Sequence, residues 1–220
     1  VLFRSRGPAP PNPTPPLTNL PPPATMSTMK VARFEEANGE LKFAEQPIPE
    51  PEGSQVRIKV KACGICHSDI LAQYGMGGAF PRVPGHEVAG FVEKLGPGVT
   101  KFKIGDRVGL GWFGGCCQDC DPCVHQNAWV CCDKAGQNIP GITYDGGYAE
   151  YCLGEQDALA RIPDGLTFVE AGPLCCAGVT VFNALRNSNA KVGDVVAVVG
   201  IGALGHLGVQ YAAKMGFRTV

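Results

Sequence analysis

No uninterrupted apolar run in these 220 residues approaches the ~18–20 that a bilayer-spanning helix requires. Neither sign of charge is in excess. The formal net charge is −1, so nothing draws the chain to nucleic acid or to an anionic membrane surface. Residues 1–29 hold no apolar h-region of the kind a secretory leader needs and no acidic residue, and they are proline-rich, with a Pro21-Pro22-Pro23 run. They are expected to form a disordered tail, with residues 1–25 as upstream sequence and Met26 or Met29 as the native start. An organellar transit peptide is the alternative, resting on Arg4 and Arg6 alone.

Cysteine, by contrast, is plentiful. Eleven is an odd number, in a chain too long for a secreted disulfide scaffold. Metal-bound thiols in a reducing compartment, the cytoplasm, account for them better. With 30 Gly, 19 Pro and many short Val/Ile runs, the first two thirds reads as turn-rich β structure. Residues 30–34 and 39–44 alternate as a hairpin, 56–62 and 88–95 read as strands, and 68–74 as a short helix. Such spacing predicts a small β-barrel. From Leu166 the texture changes. Residues 169–186 carry a helical apolar pattern, 195–199 an apolar run expected of a strand buried on both faces, and 204–215 a helix stopping at Gly216. The expected organisation is a tail (1–29), a β-barrel domain (30–178) and the first βα unit of a doubly wound, Rossmann-type α/β domain (179–220), cut off within that domain.

Three constellations carry chemistry. Cys117-x2-Cys120-x2-Cys123-x7-Cys131 can wrap one tetrahedral zinc, and four thiolates leave no open position, so the site is structural. Cys116 and Cys132 adjoin two of these residues; Cys117 and Cys131 are chosen because they keep the 2-2-7 spacing. The bland reading is a cysteine-rich loop that forms disulfides or nothing. The second constellation is dispersed: Cys66 in Cys66-His67-Ser68-Asp69, His86 in Gly85-His86-Glu87, and Cys176 in Cys175-Cys176-Ala177-Gly178. Two thiolates and an imidazole make a three-ligand site with an open fourth position, the set known from alcohol dehydrogenase. Inert buried thiols and a satisfied core histidine are the competing account. The third is Gly200-Ile201-Gly202-Ala203-Leu204-Gly205, directly after a strand and opening a helix. In that context the glycines allow a tight turn, close approach of a pyrophosphate and close helix–strand packing, with the helix N-terminus facing the phosphates.

Taken together and in this order, these motifs resemble the zinc-dependent medium-chain alcohol dehydrogenases, from about Lys30 to the end of the chain. The resemblance implies a GroES-like barrel domain followed by a Rossmann-type domain, two zinc ions per full-length chain, NAD or NADP, and a homo-oligomer. It implies that Cys66, His86 and Cys176 hold a catalytic zinc, with Glu87 behind it as a neighbouring carboxylate or transient ligand. Asp69 would accept the other N–H of His86, Ser68 would take the proton of the alcohol, His67 would lie near the cofactor pyrophosphate, and Trp112 would line the substrate pocket. The implied reaction is hydride transfer between an alcohol and an aldehyde or ketone, zinc lowering the effective pKa of the alcohol.

Two departures stand out. Where many family members have a proton-relaying His, this sequence has Leu71, and its length falls well short of the family's. A chain ending at Val220 is therefore expected to bind zinc at the four-cysteine loop but to lack turnover. The competing readings are a metal-free quinone or enone reductase of the same plan, against which the Cys and His ligands weigh, and a zinc-stabilised, non-catalytic binding module.

Overall fold

The computed structural model describes residues 27–125, 131–133 and 138–220. Residues 1–26, most of the expected tail, lie outside them. Strand β1 (Thr28–Phe34) pairs antiparallel with β2 (Leu41–Pro47), the expected hairpin. Five further strands follow: β3 (Gln55–Cys63), β4 (Val88–Leu95), β5 (Arg107–Leu110), β6 (Tyr151–Glu155) and β7 (Leu159–Arg161). They form one antiparallel sheet in the order β6-β3-β4-β5-β7. β3 carries register shifts at Arg57/Ile58 and at Val60/Ala62. Such bulges increase twist and bend the strand, and the sheet curls into a half-barrel. Bridges from Val31 to Ala149 and from Phe34 to Arg82 dock the hairpin onto it.

Alternation places the core. Val56 and Ile58 of β3, Val88 and Val92 of β4, and Val108 and Leu110 of β5 are spaced by even numbers, so each strand turns the same face inward. All six are essentially inaccessible to solvent. The thiol of Cys152 joins this cluster, and burial pushes its pKa up, so it is a small hydrophobe rather than a nucleophile.

Short helices punctuate the connections: α1 (Ile70–Gln73), just after a 3-10 turn at His67–Asp69, and α2 (Asp121–Val124). A continuous helical segment then runs from Phe168 to Arg186, made of α3 (Phe168–Pro173), a π-turn at Leu174–Gly178 and α4 (Val179–Arg186). Thr167 caps it, with Glu170 closing a reciprocal capping box. The boundary expected at 178/179 falls inside this segment. By length and composition alone the segment is apolar enough to cross a membrane. It escapes a search for uninterrupted apolar runs because Glu170, Asn183 and Arg186 break it up. α3 contacts β3 and β4, and α4, which has no buried residue, contacts α5 (Ala203–Lys214).

Beyond it, β8 (Val195–Val196) and β9 (Arg218–Thr219) pair in parallel around α5. The βα unit forms as expected, but the apolar run 195–199 is not buried on both faces. Val195 is 57% and Val199 97% exposed. One neighbouring strand and one crossover helix cannot cover both faces of a parallel strand.

Candidate functional site

The end of β3 and the start of β4 bring the first set of ligand-type residues together. Cys63 is paired with Val88, and the N–H of Gly64 donates to the carbonyl of Glu87 at 3.0 Å, which brings the two strand ends together. After Gly64 the chain folds back on itself: the Cys66 N–H donates to Asp69 Oδ2 at 2.9 Å and the Asp69 N–H to the Cys66 carbonyl at 3.0 Å. On the other side Gly85 adopts φ +102°, a conformation that side chains disfavour, and so delivers His86 and Glu87 to the head of β4. The third element is the π-turn of the long helix, which carries Cys176. Such single-turn π distortions are common at functional sites.

The donor atoms of Cys66, His86, Glu87 and Cys176 lie within 4.8 Å of one another. The two Sγ atoms are 4.0 Å apart, Ser68 Oγ lies 3.0 Å from Cys66 Sγ, and it lies 3.3 Å from His86 Nε2. The imidazole of His86 is completely buried, with the Trp112 ring edge-on to it at 5.0 Å. Its Nδ1 sits 3.2 Å from Asp69 Oδ1 but is not aligned as a hydrogen bond. Trp112 and Cys175 also border an apolar cavity of about 410 Å³.

The electrostatics set Cys66 apart from the thiols around it. Burial pushes Cys63 up to about 12 and Cys175 up to about 11. Burial also opposes ionisation of Cys66, but hydrogen bonds from Ser68 and His86 outweigh it and lower that pKa. His86 favours the Cys176 thiolate, yet burial and the neighbouring Cys66 hold Cys176 above its ordinary value. Burial opposes a charge on His86, but Asp69 and the two thiols raise it to about 10. Burial raises Glu87. Two adjacent thiols that resist ionising together, an imidazole and a buried carboxylate are a donor set suited to a divalent cation, which would replace those protons.

The second set of thiols lies on the loop around α2. Cys117, Cys120, Cys123 and Cys132 have their Sγ atoms within 4.8 Å of one another, with 3.4 Å between Cys120 and Cys123. The backbone N–H of Cys120 points at Cys117 Sγ (3.3 Å) and that of Cys117 at Cys132 Sγ (3.4 Å), as suits thiolates. Here the structure corrects the 2-2-7 reading: Cys131 is exposed and Cys132 is the buried fourth member. Which of two neighbouring cysteines turns inward is set by the path of the loop, so spacing alone could not choose between them.

The glycine turn has the expected shape. Gly200 adopts φ +89°, Gly202 is the extended N-cap of α5, and a Cβ on Gly205 would lie 1.8 Å from the Gly200 carbonyl oxygen. Ile201, Ala203 and Leu204 are exposed around it, and His67 is exposed on its 3-10 turn. Leu71 is half-buried on α1.

Sequence reasoning missed Tyr148. Its hydroxyl donates to Asp69 Oδ2 at 2.7 Å. The available signal is the glycine pair before it. A Cβ on Gly146 would meet the Gly85 carbonyl oxygen at 2.2 Å, and one on Gly147 would meet Val88 Cγ2 at 2.4 Å.

Comparison with known proteins agrees with this geometry. Residues 52–164, just over half the chain, match the alcohol dehydrogenase GroES-like domain. The sequence is 48% identical to alcohol dehydrogenase patD of Aspergillus clavatus over 88% of this chain and 50% of that one. The fold is similar to the cobalt- and zinc-bound thermostable alcohol dehydrogenase of Pyrobaculum aerophilum, with TM-score 0.80 and 31% identity, over 88% of this chain and 59% of that one. It is also similar to CAD from Helicobacter pylori complexed with NADP(H), with TM-score 0.77 and 31% identity, over 87% and 58% respectively. The chain thus spans little more than half the length of its relatives. With a GroES-like half-barrel, a metal-type donor cluster at the head of β4 and a glycine turn opening a βα unit, the chain belongs to the medium-chain alcohol dehydrogenase family.

Proposed function

We propose that this chain supplies the catalytic centre of an oxidoreductase that interconverts an alcohol and an aldehyde or ketone with NAD or NADP. The observation that carries this reading is the convergence of Cys66, His86 and Cys176 around the Ser68 hydroxyl. These three residues would hold one zinc ion, and the four-thiol loop a second, structural one. When bound at the three-ligand site, zinc would supply Lewis acidity that makes an alcohol proton easier to remove.

The chain's own groups do the rest. Ser68 Oγ, half-buried at the edge of the cluster, accepts that proton as it leaves the substrate oxygen and in the same step passes its own hydroxyl proton to solvent water. Asp69, whose Oδ1 faces His86 Nδ1 at 3.2 Å, would on alignment hold the tautomer that leaves Nε2 free to act as a ligand. Glu87 adds negative charge behind the cluster. Trp112 walls off water beside His86, which strengthens every polar interaction in the site. The turn 200–205 and the N-terminus of α5 would bind the dinucleotide pyrophosphate, with His67 assisting. Eleven free thiols suit a reducing compartment such as the cytoplasm. Assembly into a homo-oligomer is part of the same reading.

The test is zinc content together with NAD(P)-linked alcohol oxidation in the native protein. Two zinc ions per chain are expected, falling to one with loss of turnover in His86→Ala. Active protein containing no zinc would overturn the proposal.

A further inference from the structure

We infer that Tyr148 is a positioning residue for the metal centre, acting through Asp69. This rests on the reading that Cys66, His86 and Cys176 hold a metal ion.

Asp69 is buried, 8% exposed, and its carboxylate is surrounded by donors. Oδ1 accepts from the Gly85 N–H at 3.2 Å and faces His86 Nδ1 at the same distance. Oδ2 accepts from the Cys66 N–H at 2.9 Å and from Tyr148 Oη at 2.7 Å. Three of these four groups belong to the ligand loops themselves, at residues 66 and 85–86, so they move with the ligands. Tyr148 alone comes from another segment, and that segment is fastened to the body of the domain. Its carbonyl accepts from Ala32 of β1 at 2.8 Å and it packs against Met29 and Val31 of the same strand, while its N–H donates to the carbonyl of Pro84, next to the His86 loop, at 3.0 Å.

The ring reaches Asp69 through a gap that only glycine leaves. A Cβ at Gly85 would lie 2.6 Å from Tyr148 Cδ1. The hydroxyl therefore fixes the rotation of the carboxylate from outside, so that Oδ1 stays directed at His86. Because Nδ1 is close to Oδ1 but misaligned, the carboxylate orientation is the variable that decides whether the imidazole is locked for ligation. Groups that orient metal-bound histidines typically change metal affinity or activity 10- to 100-fold when removed.

The experiment is Co(II) titration of the native protein and of Tyr148→Phe, following the ligand-field absorption of the three-ligand site. The four-thiol site serves as an internal reference for folding. Tyr148→Phe keeps the ring and its packing and removes only the hydroxyl. The expected result is an affinity lower by about 10- to 100-fold and a shifted spectrum at the three-ligand site, with the four-thiol site unchanged. Unchanged affinity and spectrum would overturn the inference. If Tyr148→Phe does not fold, 3-fluorotyrosine at 148 alters the donor strength at constant shape; a shifted ligand-field band supports the role and an unshifted one overturns it. A native protein that binds Co(II) at the four-thiol site alone refutes the three-ligand reading itself, a separate failure.

Discussion

Gly64 has no room for even a methyl group: a Cβ there would fall 1.8 Å from Glu87 Oε2. The contact links a backbone requirement to the chemistry, because the displaced atom belongs to the donor cluster. Gly64→Ala is therefore expected to push Glu87 out and lower zinc occupancy at the three-ligand site while the four-thiol loop stays loaded, as metal analysis would read. The thiols of that loop yield a sharper prediction. Cys132→Ser should lose the loop's zinc and destabilise the protein, since a structural site contributes its binding energy to folding. Cys131→Ser should keep it, because that side chain is exposed. The reverse pattern in zinc stoichiometry would restore the 2-2-7 register.

At the level of elements, the long helix from Phe168 to Arg186 serves two ends of the molecule. Its first part lies on β3 and β4, its π-turn presents Cys176, and its last part lies on α5. The glycine turn at the head of α5 depends on one close approach, that of Gly205 to the Gly200 carbonyl. In Gly205→Ala the turn must open, at a cost on the scale of local backbone strain, about 1–3 kcal/mol. NAD(P)H affinity, read by fluorescence titration, should fall roughly 5- to 150-fold with zinc content unchanged. Undiminished affinity would remove the pyrophosphate role from this turn.

For the whole molecule, the two parts of the chain differ in how they are held together. The half-barrel has a closed core, and Ile58 at its centre is fully buried. Ile58→Ala should cost about 2–5 kcal/mol in denaturant unfolding, through lost apolar burial and the cavity left behind. The α/β part instead leaves Val192, Val199 and Ile201 exposed at 79%, 97% and 67%. Large apolar side chains left this exposed favour association. The 220-residue chain by itself should bind an apolar dye and self-associate, which light scattering after gel filtration would show; a monodisperse monomer that binds no dye would contradict this.

What the sequence determined by itself is local. The strand at Val88–Leu95, the hairpin and the helix after the glycine turn follow from alternation, helical periodicity and turn residues, and the ligand types follow from the chemistry of Cys and His. The motif order was legible for the same reason, since each motif is contiguous in the chain. Tertiary structure decided what depends on direction and distance. Cys132, not Cys131, joined the thiol cluster, because the orientation of adjacent side chains is set by the path of the loop. Tyr148 reached Asp69 across 79 residues, a contact no local pattern encodes. The run 195–199 is exposed on one face and only half-buried on the other, because burial depends on which elements pack against a strand, not on the strand's own composition.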